Sequence, residues 1–364
     1  MANLTRALET TTDAAELTSN KTSADVSLEY ILWVVVLPVV MPVGIVGNIL
    51  AFIVLQSKQF RHSTTGVYLT LTAIADTLFL LTGGLEILEV AGLFSVREYN
   101  VWTCRAYKFL FYTSGDASVW LVVAFTFDRF VAVCFPLSKR RVCRWKRAVI
   151  ASVTIVLLSL AKNLHEFWTR GPEYRANGQL RRICGTQAQY YFFLDYVRPW
   201  IALILVMAIP FILLLIFNCM IVHSLIKSQR LRNKTAATAT CATPSDTGTG
   251  NKPLTSSPGF RQTPNGAVST SSTRFRQTTL MCLSISFAFL ILVTPSIVLL
   301  IGKPYWKHRT NAAYKNAKAI GNFLSFLNHC INFFLYCVAG RRFRHELKAM
   351  FTCRRVEVPP SPTT

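Results

Sequence analysis

The sequence predicts an all-α membrane protein, a bundle of seven transmembrane helices followed by a short amphipathic helix on the cytoplasmic side. Three observations carry this. Of 364 residues, 52% are hydrophobic and only 15% charged. The apolar residues lie in blocks long enough to cross roughly 30 Å of hydrocarbon, which takes about 20 residues of helix. The basic residues collect between those blocks, most densely in alternate connections.

Seven segments meet the length requirement: 31–56, 67–92, 106–134, 148–168, 196–226, 278–301 and 317–338. Six are plain from hydropathy. The seventh carries Asn322, Asn328, His329 and Asn332 and would be passed over on hydropathy alone. Residues 1–29 are polar and hold no apolar core of the kind a cleaved signal peptide needs, so the first span is expected to serve as the insertion signal.

Orientation follows from Lys and Arg in the connections. Lys58 and Arg61 follow span one; Lys139, Arg140, Arg141, Arg144, Lys146 and Arg147 follow span three; Arg341, Arg342 and Arg344 follow span seven. These are the cytoplasmic sides, which puts residues 1–29 outside as an extracellular segment of a multi-pass plasma-membrane protein. The opposite loops also hold basic residues (Arg170, Arg175, Arg181, Arg182, Lys303, Lys307, Arg309), so the bias favours this orientation without deciding it alone. Asn3-Leu-Thr and Asn20-Lys-Thr in the outer segment are glycosylation acceptors. Asn233-Lys-Thr falls inside and is expected to stay bare.

The formal charge of +22 reads here as cytoplasmic loops facing the anionic lipid of the bilayer, and no nucleic-acid partner is expected. The seven-helix domain is placed at 30–339. Within it, 227–276 is dense in Thr, Ser, Pro and Gly with no hydrophobic period, the signature of a disordered cytoplasmic loop open to kinases. In 340–364, GRRFRHELKAMF has the spacing of a helix lying on the membrane surface, and Cys353 behind it is a candidate for palmitoylation, the alternative being an unmodified thiol.

Of ten cysteines, eight lie within spans or on the cytoplasmic side. Cys104 and Cys184 are left in the oxidising compartment and are expected to pair. Between spans four and five, EYRANGQLRRIC places Asn177-Gly178 between two short runs, a hairpin signal.

In TFDRFVAVCF, Asp128 and Arg129 stand side by side at the end of span three. At mid-bilayer either would cost about 2.5 to 3.5 kcal/mol. They lie far enough beyond Cys104 to have crossed the hydrocarbon, so the pair faces the cell interior.

With Pro136, this stretch resembles the DRY region of the rhodopsin-like, or class A, G-protein-coupled receptors. The likeness extends over all seven spans: GIVGN supplies Asn48, LTAIADT supplies Asp76, and Pro210 is followed by Asn218. Phe289 and Pro295 match span six; NHCINFFLY supplies Asn328, Asn332 and Tyr336, with Phe343 opening the surface helix. The resemblance implies a receptor, not an enzyme, that binds an extracellular ligand and activates heterotrimeric G proteins, with arrestin and receptor kinases as further partners. It implies a switch built from Asp128, Arg129, Asn218, Asn332 and Tyr336. It also implies a sodium ion held by Asp76, Ser118, Asn328 and Asn332, a carboxylate among neutral oxygens suiting a hard cation; the alternative is a water-filled network without the ion. No other cofactor is expected.

The departures from the family pattern are as informative. Phe130 replaces the DRY tyrosine, Val156 the span-four Trp, Val293 the span-six Trp and Phe333 the span-seven proline. A pivoting Trp is therefore not expected, and Phe289 is the candidate moving element. Phe275 stands where an acid often locks the DRY arginine, which leaves Asp128 as the expected restraint on Arg129.

Phe111 stands where amine receptors carry Asp, and Phe326 where visual pigments carry the Schiff-base lysine. NFFLYC with the basic run GRRFR is similar to invertebrate neuropeptide receptors, so the expected ligand is a neuropeptide and the alternative a non-peptide small molecule. Phe111, Tyr112, Asn322, Glu86 and Glu89 are candidate contacts. Glu86 and Glu89, three apart, share a helix face and would favour a ligand with Arg or an amidated C-terminus, unless they pair with Lys315 or Lys318. Asp116 and Lys162 each sit inside apolar runs; they are expected to pair, since a lone buried charge is costly, and the alternative is ligand contact by Asp116. A transporter would bring internal repeats or broken helices, and neither is visible; nor is a hydrolase or metalloprotease motif.

Overall fold

The structure, a computed structural model, describes residues 28–90, 99–174, 178–240, 266–302 and 312–352. Six helices among them are long and apolar enough to cross a membrane, and a seventh crossing is made of Ala313–Cys330 and Asn332–Ala339, which meet at 52°. Only a closed set of backbone hydrogen bonds is viable in hydrocarbon, and the hydroxyls of these spans follow the same rule: those of Thr72, Thr77 and Ser284 return to carbonyls one turn back.

Span three, Val101–Cys134, is the axis of the bundle. Within its most apolar stretch 72% of residues are buried, against 22% in span four and 17% in span five, whose outer faces are left to lipid. Its start is fixed by Asn100, whose side chain accepts from the Thr103 amide at 2.8 Å, a standard N-cap. It ends at Cys134, ahead of Pro136. Span one closes against span seven because Gly44 has no side chain: a Cβ there would lie 2.9 Å from the Cys330 Cα.

The Cys104–Cys184 disulfide ties span three, near its start, to a two-stranded antiparallel hairpin, β1 (Arg170–Tyr174) and β2 (Leu180–Thr186). Gly178, before β2, has φ 79°, in the left-handed region that favours glycine. On the inner side the surface helix Arg341–Phe351 follows Gly340. Phe343 is fully buried against Tyr336, and Arg344 donates to the carbonyls of Cys337 and Val338 at 2.6 and 2.7 Å, satisfying the open end of the preceding helix.

One expected boundary is corrected. The loop placed at 227–276 is shorter, because the helix of span five runs on to Thr240 and that of span six begins at Gly266. A membrane helix supplies a formed nucleus, and adding residues to it costs far less than starting a helix anew. Residues 241–265 lie outside the described residues. Span seven also bends without its family proline, at Ile331, with Phe333 beyond the break.

Candidate functional site

A cavity of about 340 Å³ opens among spans two to seven on the outer half of the bundle, within the range of small-ligand sites. One wall is aromatic. Phe79 stacks on Phe111 at 4.7 Å between ring centres and lies 5.2 Å from Phe326, while Tyr112 and Phe289 extend the same surface. Val293, at the place of the family's Trp, lines the cavity instead of filling it.

A second part of the lining, from spans three, four and five, is charged. Lys162 Nζ lies 2.8 Å from Asp116 Oδ2, and Asn163 donates to the same oxygen at 2.6 Å. Just outward, Glu166 is fully buried and faces three basic groups: Arg170 at 2.7 Å, Arg198 at 3.2 Å and His165 at 3.4 Å. The Arg198 guanidinium lies over the Tyr112 ring at 3.9 Å, a cation–π contact. Asn163, Glu166 and Arg198 were missed by sequence reasoning because no family motif falls on the outer ends of spans four and five. The one signal available was the i, i+4 spacing of Glu166 and Arg170, which on a helix brings opposite charges together.

At the floor, Asp76 is fully buried. Its Oδ1 contacts Ser118 Oγ at 2.5 Å and His329 Nδ1 at 2.6 Å, and its Oδ2 accepts from Asn332 at 2.6 Å. Asn328, grouped with Asp76 on the resemblance, is not among these partners and lines the cavity. Adjacent residues on a helix point about 100° apart, so only one of Asn328 and His329 can face Asp76. His329 does, held by Phe79 at 4.1 Å between ring centres and by Asn48, which donates to the His329 carbonyl at 3.0 Å. Among the described residues no group of three or more His, Cys, Asp and Glu could hold a metal ion. A hard cation seeks a shell of oxygens. Here Ser118 and Asn332 stand beside Asp76 as the resemblance implies, but an imidazole nitrogen takes the place expected of Asn328, so the oxygen shell is one donor short of the expected set. Exchanging sodium for choline at constant ionic strength is expected to leave the melting temperature of the purified protein unchanged, and His329→Ser to make it sodium-dependent; a sodium effect on the unaltered protein would reverse this reading.

At the end of span three away from the disulfide, Asp128 and Arg129 are buried together. Arg129 Nε and Nη2 both donate to Asp128 Oδ2. Thr64, the first residue of the span-two helix, closes the triangle: its hydroxyl donates to Asp128 Oδ2 and accepts from Arg129 Nη2, each at 3.0 Å. Sequence reasoning assigned the restraint of Arg129 to Asp128 and missed Thr64. Asn218 is fully buried, its Oδ1 accepting from Ser286 at 2.9 Å while its Nδ2 has no partner. The Tyr336 hydroxyl, also buried, has none either.

The remaining candidates are scattered. Asn322 is half-buried on span seven and off the cavity wall. Glu86 and Glu89 lie on the span-two helix, but their side chains are outside the described residues; Lys315 and Lys318 are exposed. Asn3, Asn20 and Cys353 lie outside the described residues.

Residues 47–336 match the family described as 7 transmembrane receptor (rhodopsin family). The chain is similar to the FMRFamide receptor of Drosophila melanogaster, 25% identical over 342 residues that cover 89% of this chain and 55% of that receptor. The Pyrokinin-1 receptor of the same fly is 28% identical over 171 residues, 45% of this chain and 39% of that receptor. The Allatostatin-A receptor of Bombyx mori is 23% identical over 330 residues, 85% of this chain and 77% of that receptor. The chain thus spans about half the length of the fly FMRFamide receptor, and less of the pyrokinin receptor.

Proposed function

Because the chain belongs to the rhodopsin family of seven-transmembrane receptors, we propose that it binds an extracellular peptide and, in response, activates heterotrimeric G proteins. Members of the family are receptors and not enzymes. The peptide reading draws on the relatives, whose names are those of peptide receptors. Arrestin, receptor kinases, an extracellular N-terminus with glycans on Asn3 and Asn20, and a palmitoyl group on Cys353 belong to the same proposal.

The observation that carries the mechanism is that cavity residues and switch residues lie on the two halves of span seven, either side of its bend at Ile331. Ser325, Asn328 and His329 line the cavity, Asn332 holds Asp76, and Tyr336 carries a buried, unpartnered hydroxyl. A ligand pressing on Asn328 and His329 acts on the bend beyond which the switch residues Asn332 and Tyr336 follow. Ligands shift an equilibrium only by contacting its two states differently. In the resting state Arg129 is held by Asp128 and Thr64; in the active state it leaves them, and the free groups of Asn218 and Tyr336 are partners on the facing helices. Phe289, buried beneath the cavity in span six, is the side chain through which ligand contact reaches that span.

A peptide library read by calcium and cyclic AMP in cells displaying the receptor tests this. Activation sensitive to guanine nucleotide in membranes is the expected result. Small-molecule pools that signal where every peptide pool is silent would turn the reading to a non-peptide ligand, and substrate flux in proteoliposomes would turn it to a transporter.

A further inference from the structure

We propose that the ligand carries a carboxylate into the cavity, where it lies between Lys162 and Arg198. This rests on the peptide-receptor reading and adds the chemistry of the ligand's deep end.

The charge on the spans-four-and-five wall is unbalanced. Three permanent cations, Lys162, Arg170 and Arg198, face two carboxylates, Asp116 and Glu166. Exposure decides which of these a ligand can reach. The side chains of Lys162 and Arg198 keep 26% and 21% of their surface open, whereas Asp116 keeps 9% and Glu166 none. Asp116, Lys162 and Arg198 all line the cavity, but the two cations keep more of their surface open than the acid does.

An uncompensated positive charge at this depth is felt strongly, because the surrounding dielectric is low and Coulomb energy scales inversely with it. Further cations lie on spans three and seven. Arg105, one turn outward of Lys108 on span three, donates to the Arg170 carbonyl at 2.9 Å, and Lys108 lies over the Tyr107 ring. Lys315 and Lys318 are exposed on the outer part of span seven. A cleft lined by one sign of charge concentrates ligands of the other and speeds their entry.

The two cations are suited to one acid. A guanidinium binds a carboxylate through a planar fork, and an ammonium on a flexible stem adds a point charge beside it. Phe79, Phe111 and Phe289 share the cavity lining with them, so the complementary group is a carboxylate carried beside an aromatic or aliphatic side chain. A ligand Arg in this place would meet the surplus charge. If Glu86 and Glu89 read an Arg, they read it at the other end of the peptide.

The test uses the full receptor in cells and three matched synthetic pools of short peptides ending in an aromatic residue: free acids, primary amides, and amides with Asp or Glu before the last residue. The first and third arms distinguish a C-terminal carboxylate from a side-chain one. One acidic pool is expected to activate at a concentration lower by about tenfold or more than the neutral amides, the worth of one charge-assisted hydrogen bond. Lys162→Gln should remove that advantage and Lys162→Arg keep it, at surface levels matched by an epitope tag. Neutral amides as potent as the acids on the unaltered receptor overturn the inference, and that comparison needs no variant to fold. Silence of all three pools, where Asp128→Asn signals constitutively, overturns the peptide reading and the inference with it.

Discussion

Replacing Arg129 with alanine is expected to abolish G-protein activation while leaving ligand binding and surface display largely intact. Arg129 is not among the residues lining the cavity, and among the described residues its hydrogen bonds go to Asp128 and Thr64, so its removal deletes the switch without touching the ligand. The reverse change comes from loosening the clamp. Asp128→Asn takes away the charge, and Thr64→Val takes away a hydroxyl that bonds both partners at nearly constant volume. Each should raise basal signalling. A hydrogen bond to a charged group is worth about 1.5 to 3 kcal/mol, and a shift of that size multiplies a minor active population by about tenfold or more. Basal activity is read as nucleotide exchange in membranes without ligand. Unchanged basal activity in Thr64→Val would show that Asp128 alone restrains Arg129, and normal coupling by Arg129→Ala would remove the switch assignment altogether.

The second large effect is on folding. Removing one partner of a buried ion pair costs about 3 to 5 kcal/mol, so Asp116→Ala and Lys162→Ala should each depress surface display and thermal stability more than the double substitution does. Burial sets the order of the two. Lys162→Ala strands a 9%-exposed carboxylate with Asn163 as its remaining donor, whereas Asp116→Ala leaves an ammonium that is 26% exposed and can reach cavity water. Lys162→Ala should therefore be the worse. Melting of the purified receptor in detergent measures both. Additive losses would mean that Asp116 and Lys162 serve separate partners.

Some of this architecture is readable residue by residue because a bilayer imposes local rules. A span must be long and apolar, and its backbone must bond within itself, so 31–56 and 106–134 stand out without reference to the rest of the chain. Asp128 and Arg129 are adjacent, and no knowledge of the fold was needed to join them. The same holds for Asn177-Gly178, whose turn preference is a property of the two residues. The weak seventh span was legible only through its ordered motif, NHCINFFLY, since its polar residues blunt the hydropathy signal.

What the sequence by itself determined is thus the membrane class, the crossings, the disulfide partners and the residues at which charge enters the bundle. Only the tertiary structure decided which of those residues meet. Asp76 and His329 are 253 positions apart and Thr64 and Arg129 are 65 apart. Whether they touch depends on how far each helix is rotated about its own axis, and hydropathy constrains that rotation weakly when lipid and protein interior are equally apolar. A rotation of about 100° would have turned Asn328 toward Asp76 and His329 away from it. Close packing around Gly44, Phe79 and Asn48 selected the other phase, and with it an imidazole, in place of an oxygen, beside the buried carboxylate.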